Sequence, residues 1–434
     1  MLKIIPAALF FLSFFASLVS NAVLRQISKK NDFLIDKPDK KRKFHTNPTP
    51  LTGGIGISIG IIFSSIFLFF LTQNSLDISY SPNNSLYANE VLTYDDSEIV
   101  HEINLSDEKS IKIKVIDSET FLMVLPDGKK QIYQIPKSEN FNKVLKKEVS
   151  PNTISVTKFS IGLILLTILI QLIMLLDDFW GIKEKHKLLI QAICTTLLIF
   201  FSDVYITNLG NLFGFGEIYL GFFGIPFTVF CVVGMMNAYN YIDGLNGLCA
   251  SVCLVCLISI IFMINATKVL SLLPLVLPVG AIVGFLVYNL GILGEKRNVF
   301  LGDNGSQALG FLCLWVLVYF SQIEEYNFAP ITAVWLVSIL FIDAIRVLLT
   351  RFLGGLRGND LFRARRDHVH HILQDFGFSK VVTYSILVFS TIFLSILGAS
   401  FNYIFQDMHY YSFYIFVVLW ICLHILINKL ARNV

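Results

Sequence analysis

Long apolar runs separated by short polar stretches set the pattern of this chain. Leu163 to Leu176, Val252 to Ile264 and Ile331 to Ile342 are nearly free of charge, and a helix crossing a bilayer needs about 20 mostly apolar residues. The pattern predicts about eleven spans: Ile4 to Leu24, Gly53 to Leu71, Phe159 to Leu176, Leu188 to Ser202, Phe222 to Met236, Leu248 to Asn265, Leu272 to Leu290, Gln307 to Ser321, Ala329 to Leu349, Val381 to Ser400 and Tyr411 to Asn428. The fold class expected is therefore an all-α polytopic membrane protein. Composition agrees, since 55% of the 434 residues are hydrophobic, 15% are charged and mean hydropathy is +0.67. An ordinary globular protein carries about 25% charged residues, so a typical soluble enzyme is excluded.

Charge placement orients the spans. Arg25, Lys29, Lys30, Lys37, Lys40, Lys41, Arg42 and Lys43 follow the first run, whereas only Lys3 precedes it. That asymmetry predicts a retained anchor rather than a signal peptide, with the N-terminus outside. Counting onward puts the C-terminus and the loops after spans 1, 3, 5, 7 and 9 in the cytoplasm, where nearly all remaining short-loop Lys and Arg fall. Parity and the positive-inside rule agree. The net charge of +3 is too small to suggest nucleic acid. Seven cysteines lie in or beside apolar segments without zinc-site spacing and read as packing residues.

One outer stretch differs from the rest. From Gln73 to Thr157 the chain turns polar, with nine Lys against thirteen Asp and Glu. Apolar and polar residues alternate through Ile111 to Val115, and Pro126-Asp127-Gly128 marks a turn. These signs predict a small, mostly β extracytoplasmic insertion, with a partly disordered loop as the alternative. The domain organisation expected is residues 1–72 as two spans with a basic loop, 73–157 as the insertion, and 158–434 as the remaining spans with their cytoplasmic loops.

Four cytoplasmic loops concentrate the polar chemistry. The first holds Asp177-Asp178, followed by Lys183, Lys185, His186 and Lys187. Adjacent carboxylates repel, so they are tolerable beside a cation or protonated partner; a solvated interfacial turn is the plainer reading. In the second, Asn237, Asn240, Asp243 and Asn246 recur at three-residue spacing and could hold a hydrated metal or sugar hydroxyls, or simply cap a helix. The third, Phe300 to Ser306, flanks Asp303 with glycines and leads into a span, which suits a phosphate near free helix amides, although Asp303 could equally be an N-cap. In the fourth, Arg357, Arg363, Arg365 and Arg366 precede Asp367, His368, Val369, His370 and His371. Arginine suits phosphate, and histidine changes protonation near neutral pH. Zinc is the competitor, but neither Cys nor H-E-x-x-H accompanies these residues, and anionic lipid binding would explain the arginines alone. Under the derived topology all four loops share one membrane face.

Together with Asp36-Lys37-Pro38, Arg42-Lys43-Phe44-His45 and Pro50-Leu51-Thr52-Gly53-Gly54, these loops resemble the signature set of the polyprenyl-phosphate N-acetylhexosamine-1-phosphate transferase superfamily, in its bacterial WecA-like and TagO-like branch. The resemblance implies transfer of N-acetylhexosamine-1-phosphate, with GlcNAc-1-phosphate favoured, from a UDP-sugar to undecaprenyl phosphate with release of UMP. It further implies Mg²⁺, with Mn²⁺ as a substitute, an inner-membrane location with a cytoplasmic active site, and a place at the start of cell-surface polysaccharide synthesis. The lipid bilayer is an implied partner, and a homodimer is left open.

By the same resemblance Asp303 and Asn240 correspond to metal-site positions, and Phe300 to an aromatic that stacks on uracil. Asp177, Asp178 and Asp243 correspond to catalytic carboxylates, the first two acting on the lipid phosphate. Lys187 corresponds to a phosphate contact, and Arg366, His368, His370 and His371 to a loop over the sugar and diphosphate. Asn246 stands where bacterial members commonly carry Asp, which argues for hydrogen bonding rather than charge there. The phospho-N-acetylmuramoyl-pentapeptide transferase branch is the alternative within the family, but it typically has three consecutive histidines where this chain has His368-Val369-His370-His371. A secondary transporter should place ionisable groups near the bilayer midplane, whereas Asp343 and Arg346 lie near the cytoplasmic end of span 9. An inactive scaffold should have lost Asp177, Asp178 or Asp303.

Overall fold

The computed structural model describes residues 4–37, 48–74, 152–264, 269–323, 326–355, 366–406 and 408–432, with four strands between residues 101 and 134. It divides into two compact units, Met1–Phe69 with Ser155–Val434, and Phe70–Ile154.

In the first unit, α1 (Ile4–Asn31) leads through a short pair, β1 (Ile35–Asp36) and β2 (Thr49–Pro50), into α2 (Gly53–Asn74). There follow α3 (Asn152–Trp180), α4 (Glu184–Ser202), α5 (Gly224–Ile242), α6 (Leu248–Met263), α7 (Val269–Asn289) and α8 (Gly302–Gln322). The unit closes with α9 (Pro330–Leu336), α10 (Ser338–Gly355), α11 (Val369–Asp375), α12 (Lys380–Ile404) and α13 (His409–Arg432).

Among the described residues eight helices are long and apolar enough to cross a membrane. A ninth span results if α9 and α10, bent by 86° across Val337, form one broken segment. The sequence pattern gives Ala329 to Leu349 as a single span, and hydropathy carries no signal for such a bend. The apolar helices Gly53–Leu68 and Leu248–Met263 are shorter. The second has 16 residues, a rise of about 24 Å, below the roughly 30 Å of a hydrocarbon core. On length and composition, then, eight or nine spans stand among the described residues where about eleven are expected from the sequence.

Outer helices carry apolar stripes that water would not favour. On α1, Phe11, Phe15, Val19, Val23 and Ile27 are exposed at four-residue intervals, and on α3 Ile161, Leu165, Leu169, Leu172 and Leu176 are exposed at three- or four-residue intervals. Exposed apolar area this continuous suits lipid. The opposite side of α1 is polar and buried. Ser13 Oγ donates to the Leu277 carbonyl at 2.7 Å and Ser17 Oγ to that of Ala281 at 2.8 Å. A Cβ on Gly280 or Gly284 would lie 2.4 or 2.5 Å from α1 carbonyl oxygens, so small residues let α1 and α7 pack backbone to backbone, as membrane helices do without a hydrophobic drive between them.

α8 is the axis of the bundle. From Asn304 to Phe320 every residue is buried, with Phe311, Trp315, Tyr319 and Phe320 fully enclosed, and a helix apolar all round belongs inside. Gly310 admits Met236 and Tyr239 of α5 against it. At the other end Asn402 of α12 holds the start of α9, accepting from the Ala329 amide at 3.0 Å and the Thr332 hydroxyl at 2.9 Å.

The second unit contains an antiparallel sheet in the order β3 (His101–Leu105), β4 (Lys109–Asp117), β5 (Thr120–Val124) and β6 (Lys130–Gln134). The register pairs His101 with Ile113, Lys112 with Val124 and Thr120 with Gln134, with an irregularity between Val115 and Asp117. The alternating stretch Ile111 to Val115 lies in β4. Pro126-Asp127-Gly128 falls outside the described residues.

Candidate active site

The N-terminus of α8 organises the site. Leu301 occupies the cap position and Asp303 sits in the first turn, so Asp303 is not the N-cap. Gly302 has φ +76°, a conformation that favours glycine. The chain before it is clamped by the segment entering α2. Phe300 N donates to the Pro50 carbonyl at 2.8 Å, Gly53 N to the Phe300 carbonyl at 2.9 Å and Gly54 N to that of Leu301 at 3.3 Å. Gly54 lies so close that a Cβ there would be 2.5 Å from both Asn304 Oδ1 and Gly305 Cα. The Pro50 to Gly54 motif is thereby explained as the brace for Asp303. Pro38 to Asn47, with the basic motif, lies outside the described residues, as does the side chain of Asp178.

Asp177, near the end of α3, is buried and ion-paired to Lys187 of α4, Nζ to Oδ2 2.6 Å. Its Oδ1 accepts from the Ile182 amide at 2.5 Å across a turn in which Gly181 has φ +65°. The cation that the carboxylate pair called for is therefore Lys187, which also lies within electrostatic reach of Asp303. From α5, Asn240 Nδ2 donates to Ser306 Oγ at 3.0 Å, leaving its carbonyl oxygen for another partner. Asp243 follows the same helix end. Enclosure by the protein pushes its carboxyl well above the usual carboxylate range, and the nearby Asp303 charge pushes it further. Asp243 and Asp303 are the two carboxylates that could share a cation. Among the described residues no group of three or more His, Cys, Asp or Glu is assembled as a metal cluster.

Below these groups runs a polar chain, with Asn237 Nδ2 donating to Gln191 Oε1 at 2.9 Å and Gln191 Nε2 to Gln307 Oε1 at 2.8 Å. It ties α5, α4 and α8 together at one depth. Asn237 and Asn240 thus reach inward from the three-residue row, while Asn246 is exposed in the turn between α5 and α6.

The histidine loop abuts this cluster. His368 stacks on Tyr241 with centroids 4.9 Å apart, and a Cβ on Gly244 would lie 2.4 Å from His370 Nε2. His370 is fully buried, with no hydrogen-bond partner for either ring nitrogen among the described residues. Burial, with help from His371 and His368, lowers its pKa to about 3, and burial and Arg366 lower that of His371. Burial works to raise the Asp367 carboxyl, but Arg351, bonded at 2.8 and 2.9 Å, holds it below the usual range. Arg366 instead pairs with Asp375 at 2.8 Å and lines a cavity of about 320 Å³ with Arg346, Asp367 and Asn428. Phe300 is half-buried at the α8 entrance.

The structure therefore brings together Asp177, Lys187, Asn240, Asp243 and Asp303, with His368 and His370 joined through Tyr241 and Gly244, while Arg366 faces the neighbouring cavity. The sequence reading missed Tyr241, Asp343 and Arg346 as partners of the histidine loop.

A family model for glycosyl transferase family 4 matches residues 160–321. Among curated proteins, the undecaprenyl-phosphate alpha-N-acetylglucosaminyl 1-phosphate transferase of Escherichia coli (strain K12) is 29% identical over 229 residues, 52% of this chain and 62% of the relative. Proteins of the same description from Yersinia pestis (29% over 224 residues, 51% and 60%) and Haemophilus influenzae (30% over 232 residues, 52% and 63%) are similar. The chain spans about three fifths of the length of the curated relatives it matches.

Proposed function

With residues 160–321 a member of glycosyl transferase family 4, we propose that this membrane protein transfers N-acetylhexosamine-1-phosphate, most specifically GlcNAc-1-phosphate, from a UDP-sugar to undecaprenyl phosphate. One observation carries the reading: Asp177 and Lys187, Asn240 and Asp243, and Asp303, drawn from three separate loops, converge on the N-terminus of α8. The relatives' described activity supplies the chemistry.

In this reaction a phosphate oxygen of the lipid attacks the β-phosphorus of the donor. The new O–P bond replaces the one to the α-phosphate, and UMP departs with that bridging oxygen. Such displacement needs placement and charge neutralisation more than covalent help from the protein. The Lys187 ammonium, steered by Asp177, meets a phosphate; the first-turn amides of α8 and Arg366 offer further donors. Asp178 orients the acceptor phosphate beside Asp177, His368, His370 and His371 border the sugar and diphosphate, Asn246 contacts the donor, and Phe300 stacks on uracil.

The donor set fits Mg²⁺. Asp303 and Asp243 are two carboxylates whose proximity is unfavourable without a cation between them, and Asn240 keeps a carbonyl oxygen free to join them. Mg²⁺ typically takes one or two protein carboxylates and completes its shell with substrate phosphate and water. When bound it would neutralise charge developing on the leaving phosphate.

The proposed topology has eleven spans in the inner membrane, the catalytic loops cytoplasmic and residues 73–157 outside. Purified protein with Mg²⁺, undecaprenyl phosphate and a panel of UDP-N-acetylhexosamines should release UMP with UDP-GlcNAc. Failure with every donor, by protein that is folded and monodisperse, would refute the reading.

A further inference from the structure

The buried carboxylate of Asp343, on α10, has no place in the chemistry above. It collects three donors from the histidine loop and its own helix. Oδ1 accepts from Arg346 Nη2 at 2.8 Å and from the Val369 amide, the first of α11, at 3.0 Å. Oδ2 lies 2.8 Å from His368 Nδ1. Arg346, itself buried, also reaches the Asp367 carbonyl. The residues around His368 are thus held from α10 on one side and by the Tyr241 ring on the other.

We propose that Asp343 is a positioning residue for the transfer, fixing the tautomer of His368 so that Nε2 is the ring nitrogen left to face the donor diphosphate. The inference rests on the function proposed above. A carboxylate only accepts, so the imidazole must carry its proton on Nδ1 to make the 2.8 Å contact. Nε2 of the neutral ring is then an acceptor. A carboxylate orienting a histidine in this way fixes both ring plane and proton location.

The substitution Asp343→Asn tests this with little change of shape. Asparagine has one oxygen in place of two, and that oxygen can keep both Arg346 and the Val369 amide, which already share Oδ1. Its amide group then faces His368 Nδ1 and, being a donor, requires the lone pair there and the proton on Nε2. Folding survives while the tautomer inverts.

Two measurements are needed. Nitrogen-15 spectra of histidine-labelled full-length protein in bilayers, with the His368 signals assigned through His368→Gln, should show protonated Nδ1 in the wild type and protonated Nε2 in Asp343→Asn. Initial rates of UMP release should show kcat lowered about 10- to 100-fold with KM for the UDP-sugar changed far less. In a His368→Gln background Asp343→Asn should cost nothing further, because there is no tautomer left to set. A merely structural Asp343 would lower activity in that background too, and this result would overturn the proposal. So would wild-type spectra with Nδ1 unprotonated, or an inverted tautomer with unchanged kcat. If the wild type itself releases no UMP, the proposed function fails and this role with it, whereas failure in the variant arms alone leaves the function standing.

Discussion

Replacing Lys187 with Met separates the structural from the chemical use of that ammonium group. Lys187 and Asp177 are 12% and 5% exposed and meet at 2.6 Å. At an effective dielectric of about 20, two charges about 4 Å apart attract by about 4 kcal/mol, and removing one partner of a buried pair costs about 3–5 kcal/mol because the other charge stays buried. Asp177 keeps its contact with the Ile182 amide, and Lys187 retains some exposure, so the lower end applies. We expect Lys187→Met to lose about 3 kcal/mol of stability, a drop of several degrees in the melting temperature of the detergent-solubilised protein. Asp177→Asn in the same chain removes the stranded charge and should recover all but about 1 kcal/mol of this. UMP release should be lost in the single variant and stay lost in the double, since the phosphate contact is still missing. A single variant that melts like wild type would refute the buried pair. Turnover restored in the stable double variant would refute the phosphate role of Lys187.

Three further outcomes are expected. Asp303→Asn should abolish UMP release at ordinary Mg²⁺ while leaving melting unchanged, and near-normal release would exclude Asp303 as the metal ligand. Gly54→Ala introduces a Cβ 2.5 Å from Asn304 Oδ1 and Gly305 Cα, so the start of α8 must move by about 1 Å, which should cost about 100-fold in kcat; an unchanged rate would show that the brace does not set the site. His370 supplies a pH dependence of stability: its pKa is depressed to about 3 when folded against about 6.5 unfolded, so the unfolded chain binds the extra proton between these values. Stability therefore falls as pH drops below about 6.5, by about 1.4 kcal/mol per unit, and His370→Leu should flatten the decline in melting temperature between pH 6.5 and 5; equal slopes would contradict the burial.

Much of the fold is legible because apolar runs of sufficient length have few alternatives to membrane helices. The bend between α9 and α10 is not legible in this way, for a physical reason. Hydropathy sums composition over a window, whereas the 86° bend depends on what each half packs against. Trp335 lies over Gly398, whose Cβ would be 2.2 Å from that of Trp335, and its Nε1 donates to Ser412 Oγ at 3.0 Å. Both partners come from helices more than sixty residues away in sequence, and no window spans that distance.

The site divides along a similar line. Asp177, Asn240, Asp243 and Asp303 stand in polar loops at the ends of apolar runs, where a charged residue announces itself. Their supports lie inside those runs and look like noise. Gln191 stands inside the apolar run of α4 and Gln307 at the start of that of α8, and Asp343 and Arg346 are a charged pair in another. A lone polar side chain within a span is expensive unless it finds a partner, so each predicts a contact without naming it. Gln191 bonds Gln307 and Asn237, and Asp343 bonds Arg346, His368 and the Val369 amide. Apart from Arg346, which shares the helix of Asp343, each partner belongs to a helix or loop that also carries a candidate site residue. The buried polar residues therefore fix how far the catalytic ends of α4, α5 and α8 can move relative to one another, and how far the histidine loop can move from α10. The cost of burying them in an apolar bundle is offset only in the one arrangement that pairs them all.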